Sequence, residues 1–329
     1  MKKITLALCL ISAHLGFAQM ETAQTYAETI DQQDLKELLY VYASDYFQGR
    51  ETGTLGQKRA VTFLREFYQK RNIKAAQGTE DYFQAMELTI KGQAVATENV
   101  VAIIEGKSKP EEYIVISSHL DHEGIKNGEI YNGADDDGSG TVALLEIAEA
   151  FQAAAAEGNG PERSIIFLHV SGEEKGLLGS RYYTDNPLYP LANTVANLNI
   201  DMVGRTDPKR ESENRSYVYL IGTDRLSTEL HEISEQANAA TVKMELDYTY
   251  NAADDPNRFY FRSDHYNFAK NNIPVIFYFN GTHADYHKPT DTVEKIEYDL
   301  LAQRAQLVFF TAWELANRQD RIVVDKAGK

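Results

Sequence analysis

Cysteine is nearly absent from this chain of 329 residues: Cys9 is the only one, and it sits in an apolar N-terminal stretch. Without that stretch no thiol remains, which excludes disulfides, thiolate metal ligands and a cysteine nucleophile. Positive charge is also scarce, with 33 Lys and Arg against 49 Asp and Glu, a formal charge of −16. So acidic a balance argues against nucleic acid, which needs a basic surface. No internal repeat or linker rich in Pro, Gly and Ser divides the chain, and the 8 prolines are scattered. One large domain is the simplest division at this length.

Apolar runs long enough to span a membrane are missing as well. The longest, Ile4 to Phe17 in "MKKITLALCLISAHLGFAQ", covers about 14 residues, short of the ~20 a span requires. Lys2 and Lys3 precede it and the small residues Gly16 and Ala18 close it, the pattern of a secretory leader. Leu8 stands before Cys9 where a lipoprotein signal needs a small residue, so no lipid anchor is expected. The expected division is a leader over 1–18 and one domain over 19–329, exported to the periplasm or the exterior. Loss of Lys2 and Lys3 would leave −18. A monomer with no transmembrane segment is expected.

What the chain does contain is a regular alternation of strands and helices. "NVVAII" (99–104), "YIVISS" (113–118), "SIIFLHV" (164–170), "TVANLNI" (194–200), "SYVYLI" (216–221) and "PVIFYF" (274–279) read as buried strands. Residues 31–46, 55–71, 139–156, 225–239, 264–271 and 299–317 read as helices, with a short one near 176–183. Near-continuous apolar strands alternating with helices predict an α/β fold: three α/β/α layers around a mixed, mostly parallel sheet.

Ligands of an open α/β sheet bind at the carboxyl ends of its strands. Four predicted strands deliver acids or imidazoles there: His119 and Asp121, then Glu173 and Glu174, then Asp201, then His283, Asp285 and His287. The triplet Asp135-Asp136-Asp137 opens the following helix at the same edge. Nitrogen and oxygen donors without sulfur suit a divalent ion such as zinc, manganese or cobalt. Two such ions sharing a carboxylate can acidify a water and polarise a carbonyl. Alone, the triplet reads equally well as a helix N-cap. A calcium loop aligned on Gly138 fails, because Gly133 and Leu144 fall where acidic ligands are needed. His169 reads as a core histidine, and His283 as either a ligand or a structural hydrogen-bond partner.

Taken together, "HLDH" (119–122), "NGADDDGSG" (132–140), "SGEEKGLLGS" (171–180), "NIDMVGR" (199–205), "FRSDHYNF" (261–268) and "YHKPTDT" (286–292) resemble the M28 family of zinc aminopeptidases, as does "FQGRETGTLGQKRA" (47–60). The resemblance implies a secreted di-zinc metallo-aminopeptidase acting on peptides with a free N-terminus. It implies His119 and Asp201 on one ion, Glu174 and His287 on the other, and Asp136 bridging, with Asp135 and Asp137 shaping and capping the turn. Glu173 would be the general base, Asp121 would orient His119 from behind, and Tyr260 would assist the oxyanion. Two Zn2+ are implied, with Mn2+ or Co2+ as alternatives. A glutaminyl cyclase of the same fold and an M20-like carboxypeptidase or deacylase remain as other readings.

Overall fold

A computed structural model describes residues 21–326; the predicted leader lies outside them. In chain order the strands are β1 (Lys74–Ala75), β2 (Phe83–Ile90), β3 (Gln93–Ile104), β4 (Lys109–His119), β5 (Gly124–Lys126), β6 (Glu129–Tyr131), β7 (Arg163–Val170), β8 (Thr194–Ile200), β9 (Tyr217–Ile221), β10 (Glu245–Asp247) and β11 (Val275–Phe279). All but β5 and β6 join one mixed sheet, in the order β1-β3-β7-β4-β8-β11-β9-β10, with β2 paired to β3. The middle strands β7, β4, β8 and β11 run parallel. Antiparallel pairing flanks them, β3 against β7 on one side and β9 against β11 on the other.

The parallel centre follows from composition. Every residue of β7 "RSIIFLHV" and of β8 "TVANLNI" is buried, as expected of strands covered on both faces. Ile114, Ile116, Phe167, Leu198 and Ile276 pack on one face with Leu39, Val142, Leu145 and Leu301 of the helices Gln32–Tyr42, Gly140–Ala156 and Tyr298–Asn317. Val101, Val115, Leu168 and Val170 pack on the other with Tyr183 and Phe268 of Leu178–Asp185 and His265–Ala269. These are the three expected layers.

Five strands go beyond the expectation: the short β1, β5, β6 and β10, and the longer β2. β2 and β3 form a long antiparallel hairpin in which β3 starts at Gln93. Its turn places Lys91 and Gly92 at φ 50° and 78°, the double positive φ of a tight hairpin turn. "FQAMELTI" alternates buried and exposed positions because the hairpin lies at the margin of the sheet. Among the described residues, no helix is long and apolar enough to cross a membrane.

Candidate metal centre

The parallel strands end at one edge, and their ends carry the chemistry. His119 is the last residue of β4, Glu173 and Glu174 follow β7, Asp201 follows β8, and His287 lies on the loop after β11. Asp136 comes from the turn that opens the helix Gly140–Ala156.

Asp136 stands between two groups of donors. Its Oδ1 lies 3.2 Å from His119 Nε2, which is itself 3.5 Å from Asp201 Oδ1. Its Oδ2 lies 3.0 Å from His287 Nε2, which is 3.3 Å from Glu174 Oε1. None of these contacts has hydrogen-bond geometry in the buried atoms concerned: His119 Nε2, Asp136 Oδ2 and Glu174 Oε1 have no hydrogen-bond partner. Donors each ~2.0–2.2 Å from one tetrahedral ion lie about 3.3 Å apart. The spacings and the orphaned atoms therefore fit two divalent ions, one on either side of Asp136.

The electrostatics agree. Burial pushes the Asp136 carboxyl up, but the imidazoles of His119 and His287 outweigh it and hold it well below the carboxylate range. Burial and Asp136 likewise raise Glu174, yet His122 and His287 bring it down to about 2. The surrounding imidazoles thus favour the ionised form of both carboxylates. Glu173 behaves oppositely. Desolvation pushes its carboxyl well above the usual range, opposed by His119 and reinforced by Asp201 and Glu174. It lines the cleft with Asp136, Asp201 and His287 but joins none of the converging donor clusters.

The rest of the Asp triplet is committed to the backbone. Asp137 accepts the N–H groups of Gly140 and Met202 on Oδ1, at 2.9 and 3.1 Å, and that of His119 on Oδ2 at 3.2 Å. Asp135 accepts the N–H of Gly204 at 2.6 Å and the hydroxyl of Ser139 at 3.0 Å. Its other oxygen meets His283 Nε2 at 3.1 Å, so His283 is a structural partner and not a donor to the centre. His169 is a satisfied core histidine between Tyr68 and Ser118, and burial lowers it to about 3.

Two expected placements are corrected. His119 Nδ1 meets the backbone carbonyl of Asp121 at 3.0 Å, while the Asp121 carboxylate is 4.0 Å away and turned elsewhere. That carboxylate accepts the N–H of Glu173 at 3.1 Å and the hydroxyl of Thr52 at 2.7 Å. Tyr260 is not brought to the cleft. Its ring packs on Arg225, His265 and Tyr266 and borders a separate hollow, because the short turn Phe259–Phe261 sends Phe259 inward instead. The tyrosine that does line the cleft is Tyr286, whose ring stacks on His287 at 3.9 Å. Desolvation, then the charges of Asp136, Glu174, Asp201 and Glu173, raise its hydroxyl.

Several positioning residues escaped the sequence reading. Asp291 of "YHKPTDT" accepts the N–H groups of Asp135 and Asp136 at 3.0 and 3.2 Å. Arg50, fully buried, donates to the carbonyls of Leu120, Asn132 and Gly133 at 3.0, 2.7 and 2.9 Å, closing the loop that carries His119 at one end and Asp136 at the other. Gly133 is needed in that loop: its φ is 54°, and a Cβ there would lie 2.2 Å from the Asp136 carbonyl.

Residues 99–312 match the profile of peptidase family M28. The chain belongs to that family. It is 30% identical over 259 residues to a probable leucine aminopeptidase of Trichophyton verrucosum, covering 74% of this chain and 67% of that one. Among solved structures it resembles the LapA aminopeptidase of Legionella pneumophila, with a TM-score of 0.71 at 20% identity over 92% of this chain and 75% of that one. It also resembles a zinc aminopeptidase from Bacillus subtilis, with a TM-score of 0.67 at 17% identity over 90% and 98% of the two chains. A glutaminyl cyclase from Porphyromonas gingivalis shares the fold too, with a TM-score of 0.69 at 19% identity over 86% and 97%. This M28 chain is a metal-dependent peptidase, a hydrolase with leucine aminopeptidase relatives.

Proposed function

We propose that this M28 chain is an exported two-zinc aminopeptidase that removes residues from peptides with a free N-terminus. The observation that carries the reading is the division of Asp136, one carboxylate oxygen facing His119 and Asp201, the other facing His287 and Glu174. His119 and Asp201 would hold one ion, Glu174 and His287 the other, with Asp136 shared; manganese or cobalt could replace zinc on the same donors. Bound there, the ions would lower the pKa of a water and polarise the scissile carbonyl.

Glu173 takes the proton of the attacking water and returns it to the leaving amine. Desolvation raises its carboxyl, which makes it a stronger base towards the attacking water than an exposed carboxylate. Asp121 fixes the backbone at Glu173 and so keeps the base facing the cleft. Tyr286 places a hydroxyl on the same cleft, where it can donate to the developing oxyanion. Met202, Phe259, Phe277 and Phe279 supply an apolar wall for the first side chain of the substrate.

The deciding assay compares hydrolysis of amino-acid amides and dipeptides, free and N-acetylated, before and after chelation. A substrate with N-terminal glutamine is included to detect cyclisation. Activity confined to free N-termini and abolished by chelation is expected. Equal rates on blocked substrates would replace this reading with a deacylase or carboxypeptidase, and cyclisation without hydrolysis would replace it with a cyclase.

A further inference from the structure

His122 ends the "HLDH" segment, and the site described so far gives it no task. It is fully buried, and neither ring nitrogen has a hydrogen-bond partner. Leaving both nitrogens of a buried imidazole unsatisfied is costly, because each forfeits its hydration without a replacement partner. Its Nδ1 lies 3.0 Å from Glu174 Oε1 and 3.8 Å from Asp136 Oδ2, both atoms orphaned in the same way. At 3.0 Å a hydrogen bond would be expected, but the alignment is wrong for one. His122, Asp136 and Glu174 each present one donor atom within 4.8 Å of the others.

The ring's position is built in. A Cβ on Gly133 would lie 2.5 Å from the His122 ring, so only glycine leaves room for it. The His122 N–H binds the Arg50 carbonyl at 3.4 Å, and the ring meets His287 edge-on at 5.8 Å.

We propose that His122 is a sixth protein donor to the centre, on the Glu174 side. This rests on the two-ion reading above. The two positions are then unequal. One has His119, Asp201 and Asp136. The other has Glu174, His287, His122 and the second oxygen of Asp136. Four protein donors close a tetrahedral position, as in structural zinc sites, whereas three leave a place open. The Glu174 side therefore fills first and holds its ion more tightly, and the His119 side keeps the open place for water or substrate.

The test is metal binding by the ion-depleted full chain, with Zn2+ followed by calorimetry against a competing chelator and Co2+ followed by visible absorption. The native chain should bind in two unequal steps. His122→Ala should weaken the tighter step roughly 10- to 100-fold, leave the weaker one unchanged, and alter the absorption of the first Co2+ equivalent. His122→Asn, which keeps a polar side chain in the pocket, serves if the alanine variant does not fold, and should weaken the same step. Native affinities and an unchanged Co2+ spectrum in the variants would overturn the assignment. A native chain that binds a single ion overturns the two-ion reading itself. His122 is then judged on that one step, and native affinity in the variants removes it.

Discussion

The carboxylate of Asp121 accepts the backbone N–H of Glu173 at 3.1 Å, while its carbonyl meets the ring of His119 at 3.0 Å. One residue thus links the end of β4 to the loop after β7. The linkage separates two tasks: the main chain of Asp121 aims an imidazole, and its side chain aims the proposed base. Asp121→Ala removes only the second. We expect kcat to fall about 10- to 100-fold with bound metal unchanged, read by steady-state kinetics and elemental analysis of the same preparation. Loss of metal in step with activity would show that the carboxylate supports His119 after all.

Glu173→Gln keeps the shape of the side chain and removes its capacity to accept a proton. A decrease of roughly 10²- to 10⁴-fold in kcat is expected, with two ions retained. If metal is lost instead, Glu173 and Glu174 have exchanged roles.

Tyr286→Phe keeps the stack on His287 and removes the hydroxyl from the cleft. It should slow turnover by about 10- to 100-fold with little change in KM. Tyr260→Phe, outside the cleft, should change kcat less than about twofold. The reverse ranking would mean that the Phe259–Phe261 turn rearranges on substrate binding.

Arg50 satisfies three loop carbonyls and stacks on Tyr42 at 4.7 Å. Arg50→Met fills similar volume but removes those bonds. The Asn132 carbonyl loses its donor, while Leu120 and Gly133 keep the Tyr42 hydroxyl and the Gly138 N–H, so a cost of about 1–3 kcal/mol in unfolding free energy is expected. Denaturant titration of the ion-depleted chain measures it directly; a loss under about 1 kcal/mol would show that the loop does not depend on the clamp.

Glu146 lies on the helix Gly140–Ala156, 4% exposed, while Arg71 is paired with Glu149. Burial, with help from Glu149 and Asp34, raises its carboxyl from 4.5 to about 8. The unfolded chain releases this proton near pH 4.5, but the folded chain keeps it until about pH 8. Between those values the unfolded state binds fewer protons, so stability falls as pH rises; below them the group costs nothing, and above them the cost is complete. Glu146→Gln should therefore match the native chain near pH 4.5 and exceed it by roughly 2–4 kcal/mol near pH 8, in urea titrations across that range.

Much of the architecture was readable in advance because buried parallel strands are long apolar runs; β8, for example, spans the predicted 194–200. β2 was overlooked because "FQAMELTI" lies at a margin, where half its positions face water and apolar content drops. Four of the five proposed metal ligands sit at or just past strand ends or at the start of a helix, where chemistry-bearing residues stand out, and His287 lies on the loop after β11. Asp291 and Arg50 were not visible, because a side chain that binds main-chain N–H or carbonyl groups carries no spacing signature; its partners can be any residue. His122 was hidden by its neighbours, since His119 and Asp121 already account for the motif. The position of Tyr260 is not legible in the sequence, because the three-residue turn Phe259–Phe261 decides which aromatic ring faces inward.

The Asp137, Asp291 and Arg50 contacts described above run to main-chain groups, among them the N–H groups of His119 and Asp136, and leave the side chains of the proposed metal ligands free of them. The polypeptide thus ties the cradle together through its own main chain. A chain built this way can fold first and acquire its metal later from whatever surroundings it reaches. Chelation and reloading should then cycle activity without a refolding lag, and the empty chain should resist proteolysis almost as well as the loaded one.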